Sequence, residues 1–353
     1  MSSARIPVRN LYYLLAYAWE SFPESEESKL GLEVCPDLIN LLAKLLCQQV
    51  QRLVRRGLEK RYLSQLETGV RISGRIALTE TSRLKARHSP QVCFEIDELT
   101  SDILPNRILK STLSQLRCSE QLASSLHDDV WRAFIGLPQV EEIRLTSAVF
   151  SKLLFHRNNR HYRLAIDICQ LIHHLCLPDS SKRNEQRVRF LDIVEDEACM
   201  ERIFEKFVLN FALAHSPESR PGSQILRWQG TWAEPDGHFL PRMQTDLTLD
   251  FPDRKVILDC KYYREALKSG MGTPKLRPGH LYQLMAYLQN SAADGHGVPL
   301  EGVLLYPTNG FDLKLDYKLL GFPIRIRTLD LSREWWVIDE NLREILEARP
   351  RRS

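Results

Sequence analysis

No apolar stretch in this 353-residue chain approaches the ~18 residues of a membrane-spanning helix, which argues against a helical membrane protein. The start, Met1-Ser-Ser-Ala-Arg-Ile-Pro-Val-Arg9, has no apolar signal core, so the expected location is the cytoplasm. Cysteines never occur as a C-x-x-C pair; the eight stand at 35, 47, 93, 118, 169, 176, 199 and 260. The one local Cys/His cluster, His173, His174 and Cys176, ends a run from Leu164 with the pattern of a buried helix. Scattered, reduced, mostly buried thiols are therefore expected rather than a zinc site. A Walker A pattern is missing, so the chain is expected to bind no nucleotide, and any NTPase activity must come from a partner. An excess of one charge is missing too: 48 basic and 45 acidic residues leave only +3. That total is too small to point to nucleic acid. The hydrophobic share of 43% and charged share of 26% are ordinary for a globular protein, and the length suggests two domains.

What the chain does have is one informative hairpin. Leu240-Pro-Arg-Met-Gln-Thr-Asp246-Leu-Thr-Leu-Asp250 leads to a turn at Phe251-Pro-Asp-Arg254, then to Lys255-Val-Ile-Leu-Asp259-Cys-Lys261-Tyr-Tyr263. Residues two apart on a strand share a face, so Asp259 and Lys261 point together and Cys260 points away. A two-residue loop at Pro252-Asp253 places Asp246 opposite Asp259. Directly opposed residues have Cβ atoms roughly 4.5–5.5 Å apart. Two carboxylates that close repel, and a divalent cation between them resolves the conflict. Oxygen ligands suit Mg²⁺, with Mn²⁺ as an alternative. Such a metal polarises a phosphodiester and acidifies a bound water. Lys261 is placed to orient that water or to neutralise charge developing on phosphorus. A second feature is His280-Leu-Tyr-Gln283-Leu-Met-Ala-Tyr287-Leu288, opened by Pro278-Gly279 as helix punctuation. Gln283 and Tyr287, at i and i+4, share a helical face; Leu281, Leu284, Met285 and Leu288 form the packing face. The pair is suited to hold the lysine or a phosphate backbone, and equally to be the polar edge of an ordinary amphipathic helix.

Asp246, Asp259-x-Lys261 and Gln283-x-x-x-Tyr287 together resemble the PD-(D/E)xK nuclease superfamily in its RecB-like form. The wider context resembles the McrC family, nuclease subunits of McrBC modification-dependent restriction systems. That context is Ile6 to Trp19, Gly74-Arg-Ile76, Asn106-Arg-Ile-Leu-Lys110, Leu240 to Asp246, Asp259-Cys-Lys-Tyr-Tyr263, Met271-Gly-Thr273 and Tyr282 to Tyr287. Thr245 rather than Pro precedes the first Asp, and Asp259 replaces the commoner Glu; neither change removes a ligand oxygen. The resemblance implies a metal-dependent endodeoxyribonuclease with Asp246, Asp259, Lys261, Gln283 and Tyr287 at its site. The backbone carbonyl of Cys260 would join Asp246 and Asp259 as a metal ligand. It also implies a helical Glu near the metal. Periodicity favours Glu201, which borders the apolar face, whereas the Phe204-Glu205-Lys-Phe207 context resembles the family's pattern and makes Glu205 the expected acid. The implied partners are a hexameric McrB-like AAA+ GTPase, which the N-terminal half would dock on and stimulate, and double-stranded DNA carrying modified cytosine. No module that reads a modified base is recognisable in this chain. Two rival readings stand beside this one: a non-catalytic activator of an AAA+ motor with a decayed nuclease core, and a stand-alone RecB-like nuclease. The intact Asp246, Asp259 and Lys261 count against the first, and the large N-terminal half is unexplained by the second.

The rest of the chain frames these motifs. Residues 8–20 are apolar nearly all round, as in a buried helix. An amphipathic helix from Pro36 to Val54 stops at Gly57. Tyr62 to Ile76, broken by Gly69 and Gly74, suggests strands and a projecting hairpin carrying Arg71 and Arg75, and Val92 to Ile96 reads as a strand. From Gln51 to Arg87, ten basic residues face three acidic ones, a net +7. This stripe can follow phosphates, meet an acidic partner or lie in solvent. Ser101 is the expected cap of a helix to Arg117, with Asn106, Arg107 and Lys110 on its polar side, and further helices are expected near 121–135, 146–154 and 161–176. Pro178 to Arg187 is the candidate linker, followed by a strand at Arg189 to Val194 and a long helix from Glu195 to His215. The glycine-rich Lys268 to Thr273 is expected to be an active-site loop, Glu301 to Tyr306 a buried strand, and Pro323 to Leu331 an edge strand. The expected architecture is an α+β domain over residues 1–180, with helices and small β-hairpin elements, docking the partner. An α/β nuclease domain over 188–353 follows, with a mixed central sheet flanked by helices.

Overall fold

A computed structural model describes residues 6–20, 35–178, 188–231, 236–262, 267–268, 275–295, 297–308 and 312–349. Most of the expected linker, the glycine-rich segment after Lys268, and Tyr263 lie outside these residues. The chain forms two compact units: residues 39–191, and residues 1–38 together with 192–353.

In chain order, α1 is Val8–Ala18. The residue 39–191 unit is formed by α2 (Leu38–Arg56), β1 (Arg61–Gly69), β2 (Arg75–Ile76), α3 (Leu78–Ala86), β3 (Val92–Thr100), α4 (Leu104–Arg117), α5 (His127–Ile135), α6 (Ser147–Ser151), α7 (Arg163–Leu175), β4 (Cys176–Pro178) and β5 (Val188–Phe190). Gly57, at φ +93°, ends α2 as expected. The strands differ from expectation in pairing. Instead of β1 turning back on β2, both flank β3, in the order β1-β3-β2. The ladder of β1 with β3 runs from Arg61–Thr100 to Gly69–Val92, and Arg75 lies opposite Glu95. Gly74 makes this possible: its φ is +129°, and a Cβ there would stand 2.1 Å from the Glu95 carbonyl oxygen. Ser101 does not cap α4. The cap position is Ile103, with Pro105 in the first turn. Nor is the polar side of α4 solvated throughout. Asn106 is fully buried, donating to the carbonyls of Ser101 and Glu59 and accepting from Tyr162 Oη at 2.9 Å. Arg107 pairs with Asp102, and Lys110 donates to the Leu137 carbonyl. Asn106 and Lys110 thus satisfy backbone carbonyls, which gives this stretch a structural role. The strand expected at Arg189 to Val194 is shorter, and it pairs with β4 inside this unit.

The other unit continues with α8 (Glu197–His215), β6 (Ile225–Leu226), β7 (Met243–Gln244), β8 (Leu247–Asp250), β9 (Lys255–Cys260), β10 (Leu267–Lys268), β11 (Lys275–Leu276), α9 (Pro278–Ala293), β12 (Leu300–Pro307), β13 (Lys314–Leu319), β14 (Phe322–Leu329) and α10 (Trp335–Glu347). Helix α1 belongs here, although it was expected in the first domain. Its aromatic residues pack on α8 and α10: Tyr13 stacks on Trp335 at 4.1 Å between ring centroids, and Tyr17 meets Phe207 and Phe211. Asn210 donates to the Tyr17 carbonyl, and Asn10 to those of Leu331 and Arg333. Sequence showed that α1 is buried but not against what.

The main sheet has the order β13-β14-β12-β9-β8. The inner pairs β14-β12 and β12-β9 are parallel and the outer pairs antiparallel, so the sheet is mixed. Strand β14 is interior, not an edge. The unrecognised edge is the polar β13, whose pairing explains the alternation seen in β14. Every residue of β9 and β12 is buried, as expected of central strands covered on both faces. Helix α9 lays Leu284, Tyr287 and Leu288 on Ile257, Leu304 and Ile326. Gly302 permits the close approach, since a Cβ there would meet the ends of Leu284 and Leu288 at 2.9 Å.

Candidate active site

The β8–β9 register is the one the two-residue turn predicts: Leu247 faces Leu258 and Asp250 faces Lys255. Asp246, one residue before the ladder, accepts the Cys260 backbone N–H at 2.7 Å through Oδ2. Asp259 is completely buried. Lys261 shares its face, with Nζ 3.3 Å from Oδ1 and 3.1 Å from Oδ2. Contact with Oδ2 lacks hydrogen-bond geometry, so that buried oxygen has no hydrogen-bond partner. Cys260 points away into the core, where burial pushes its thiol far above the usual range.

Electrostatically the cluster is strained. Burial, then the neighbouring Asp246, raises the Asp259 pKa well above the carboxylate range. Burial also raises that of Asp246, with Lys261 and the Cys260 N–H opposing. At Lys261 burial disfavours the charge, but Asp259 and Asp246 outweigh it and hold the ammonium protonated. Helix α8, capped by Asp196 on the Cys199 N–H, brings both helical acids to this end of the sheet. Glu201 Oε1 lies 3.9 Å from Lys261 Nζ. Glu205 is pushed up to about 7 by burial, then by Asp246 and Glu201. The structure thus brings both candidates to the site, with the direct lysine contact made by Glu201.

The α9 pair forms a relay to the backbone. Gln283 donates to Tyr287 Oη at 2.7 Å, and Tyr287 Oη donates to the Gln244 carbonyl at 3.0 Å. The tyrosine therefore fixes the strand that leads into Asp246, a tie that i,i+4 spacing alone could not reveal. Arg71 and Arg75 lie in the other unit, both exposed.

The donor set fits a hard divalent cation. Asp259 offers a buried oxygen that accepts no hydrogen bond, Asp246 keeps one oxygen clear of the Cys260 N–H, and burial raises both pKa values although Lys261 stands beside them. Among the described residues no three His, Cys, Asp or Glu side chains gather as a preformed cage. Mg²⁺ commonly takes one or two carboxylates and completes its shell with water and substrate oxygens, so a pair suffices.

Comparison with known proteins agrees on one lineage. Residues 3–307 match the family described as McrBC 5-methylcytosine restriction system component. A curated relative, the "Type IV methyl-directed restriction enzyme EcoKMcrBC" of Escherichia coli K12, is 33% identical over 348 residues, covering 98% of this chain and 99% of that one. The fold resembles a chain of a solved half-complex of Thermococcus gammatolerans McrB AAA+ hexamers with bound McrC. There the TM-score is 0.58 at 17% identity, over 96% of this chain and 75% of that one. By family match and by identity along its length, the chain belongs to the McrBC 5-methylcytosine restriction system component family.

Proposed function

We propose that this chain is the DNA-cleaving subunit of a restriction complex directed at modified cytosine, and that residues 192–353, packed with α1, form a PD-(D/E)xK endonuclease domain. The observation that carries the reading is the buried Asp259 with its unpartnered oxygen, opposed to Asp246 and paired with Lys261 on one face. Asp246 and Asp259, with the Cys260 carbonyl, would hold Mg²⁺ or Mn²⁺. When bound, the metal supplies Lewis-acid polarisation of the phosphodiester and a more acidic water. Lys261 keeps its proton and sets a fixed positive charge where negative charge develops at phosphorus. Glu205, with a pKa of about 7, is matched to accepting a proton at neutral pH. Gln283 and Tyr287 position the segment that presents Asp246.

The relatives' names supply the biology proposed for the whole chain. The bacterial relative is a methyl-directed restriction enzyme, and the archaeal complex joins McrC to McrB AAA+ hexamers. We therefore assign this chain a McrB-like GTPase ring as partner and modified double-stranded DNA as substrate. The β1-β3-β2 sheet, with its exposed β1, Arg71 in the connection to β2 and Arg75 in β2, is assigned to docking. The test is GTP-dependent cleavage of methylated plasmid by the chain and its partner. Wild-type protein cuts and folded Asp259→Ala does not. Cutting by the variant overturns the site. A wild-type chain that stimulates GTP hydrolysis without cutting DNA favours a decayed core.

A further inference from the structure

Strands β6 and β7 form a two-stranded ribbon that runs directly into the site. Its inner residues, Leu226 and Met243, join the core under α9, and Tyr287 fastens it at the Gln244 carbonyl. Its outer face is another matter. Ile225 pairs with Gln244, and both are exposed. The same register, extended outward, sets Arg227 opposite Arg242 and Trp228 opposite Pro241. The bond from Trp228 Nε1 to the Pro241 carbonyl, at 2.6 Å, supports that extension. Residues two apart on a strand share a face, so Arg227 and Arg242 stand side by side with Ile225 and Gln244 on the solvent side. Both arginines are exposed, and neither has an ion-pair partner among the described residues. Like charges directly opposed across a ladder destabilise it. An anionic ligand laid over the ribbon removes that penalty. The position narrows the choice of anion: Arg242 is four residues before Asp246, so chain geometry holds their Cα atoms within about 14 Å.

We infer that Arg227 and Arg242 form a clamp for the phosphate backbone of duplex DNA, contacting it a few nucleotides from the bond cleaved at Asp246 and Asp259. This inference rests on the nuclease reading and deepens it by naming groups that hold the substrate. Guanidinium groups suit the task, since they offer forked donors to phosphate oxygens. The clamp reads no sequence: phosphate contacts set register and leave base recognition elsewhere. Trp228 and Tyr287 hold the ribbon rigid, which fixes the distance from clamp to cleavage site.

The experiment measures binding of a short unmodified duplex to the full chain by fluorescence anisotropy across a salt series, with Ca²⁺ in place of Mg²⁺. Each lost phosphate contact reduces the log–log salt slope by about 0.9, so Arg227→Gln/Arg242→Gln should lower it by about 1.8. Affinity should fall by about tenfold or more, and Arg227→Lys/Arg242→Lys should restore most of the slope. Asp259→Ala should fail to cut in the assembled complex. Because both arginines are solvent-exposed and repel each other, the Gln pair should melt no lower than wild type. An unchanged slope in the Gln variant overturns the clamp, as does a wild-type chain with no salt-dependent binding. So does a variant that keeps DNA binding but loses association with the partner ring, which would make the ribbon a protein-binding surface. Cleavage by Asp259→Ala instead overturns the nuclease reading on which the clamp depends, so the two failures are distinct.

Discussion

The two largest sheets of the molecule solve opposite problems. In the five-stranded sheet every residue of β9 and β12 is buried, and Lys255, Asp259 and Glu301 are charged groups inside a core. In the three-stranded sheet every residue of β1 but Gly69 is exposed, with Tyr62, Leu63 and Leu66 each more than half so. A strand exposed on both faces gains little from burial, and its apolar side chains lie in water with no stabilising return within their own unit. The first sheet holds charge where water is excluded, an arrangement suited to chemistry. The second holds apolar and basic groups where a partner can reach them, an arrangement suited to docking. The division of labour proposed above rests on that contrast, and substitutions on each side can break it.

The largest effect is expected inside the buried sheet. Asp259→Ala and Lys261→Ala should each lower the DNA cleavage rate by roughly 10²–10³ or more, the size of losing a group that stabilises transition-state charge. Cleavage kinetics on methylated plasmid, with circular dichroism to confirm folding, measure this. Stimulation of the partner's GTPase by Asp259→Ala should remain at the wild-type level. The exposed sheet should behave in the opposite way. Arg71→Ala/Arg75→Ala should weaken stimulation about tenfold at sub-saturating concentration, as loss of charge-assisted hydrogen bonds predicts. If Arg71→Ala/Arg75→Ala stimulates normally while Asp259→Ala does not, the assignment of roles is reversed. Equal loss in both would make the nuclease core part of the docking surface.

The same contrast explains what could be read from sequence. The β8–β9 register was legible because a two-residue turn at Pro252-Asp253 fixes every pair outward from it, and the face shared by Asp259 and Lys261 follows from strand period alone. The exposed sheet was misread because its pairing is non-local. β1 and β2 both seek β3, across α3, and no turn residue announces that. Asn106 looked like a surface residue, since polarity does not reveal that three partners await it under the loops. The interior position of β14 was hidden because its outer neighbour, β13, is too polar to read as a strand. Two acids on α8 remained ambiguous because both approach the site: Glu201 touches Lys261, while burial and Asp246 raise the pKa of Glu205.

Metal and pH supply an intermediate test. Mg²⁺ at about ten times its Kd should add about 1.4 kcal/mol to wild-type stability, a rise of roughly 3–6 °C in Tm, and little to Asp246→Asn. Without metal the sign reverses with pH. Asp259 and Glu205 have raised pKa values in the folded state, so their contribution is present below the ordinary carboxylate range and is lost as pH rises through about 7. Asp246→Asn keeps an acceptor for the Cys260 N–H and removes one repelling charge. Its metal-free Tm should match wild type near about pH 4, and exceed it by a few degrees near about pH 8. A large drop in Tm at every pH would make Asp246 a structural residue.

The last test compares two glycines, one in each sheet, of which Gly74 should show the smallest effect on stability. At Gly302 an added Cβ meets only the ends of Leu284 and Leu288, which can shift at a cost. Overpacking of that kind costs about 1–2 kcal/mol, so Gly302→Ala should lower Tm by roughly 2–8 °C. Because those leucines lie on α9, cleavage should fall as Gln283 and Tyr287 move. At Gly74 the added Cβ strikes the Glu95 carbonyl oxygen, and the φ of +129° is strained for any other residue. Backbone cannot yield as a leucine end can, so β2 must leave β3. Yet β2 contributes just the pairs Arg75–Glu95 and Ile76–Phe94, both at exposed positions on its side. Gly74→Ala, the worse clash, should therefore shift Tm by less than about 2 °C while reducing GTPase stimulation, since Arg75 loses its fixed place. Thermal melting of both variants, read beside GTP turnover and cleavage, decides the matter. A Gly74→Ala protein that melts far below Gly302→Ala would show that the exposed sheet is integral to the stability of its unit rather than an arm held out for a partner.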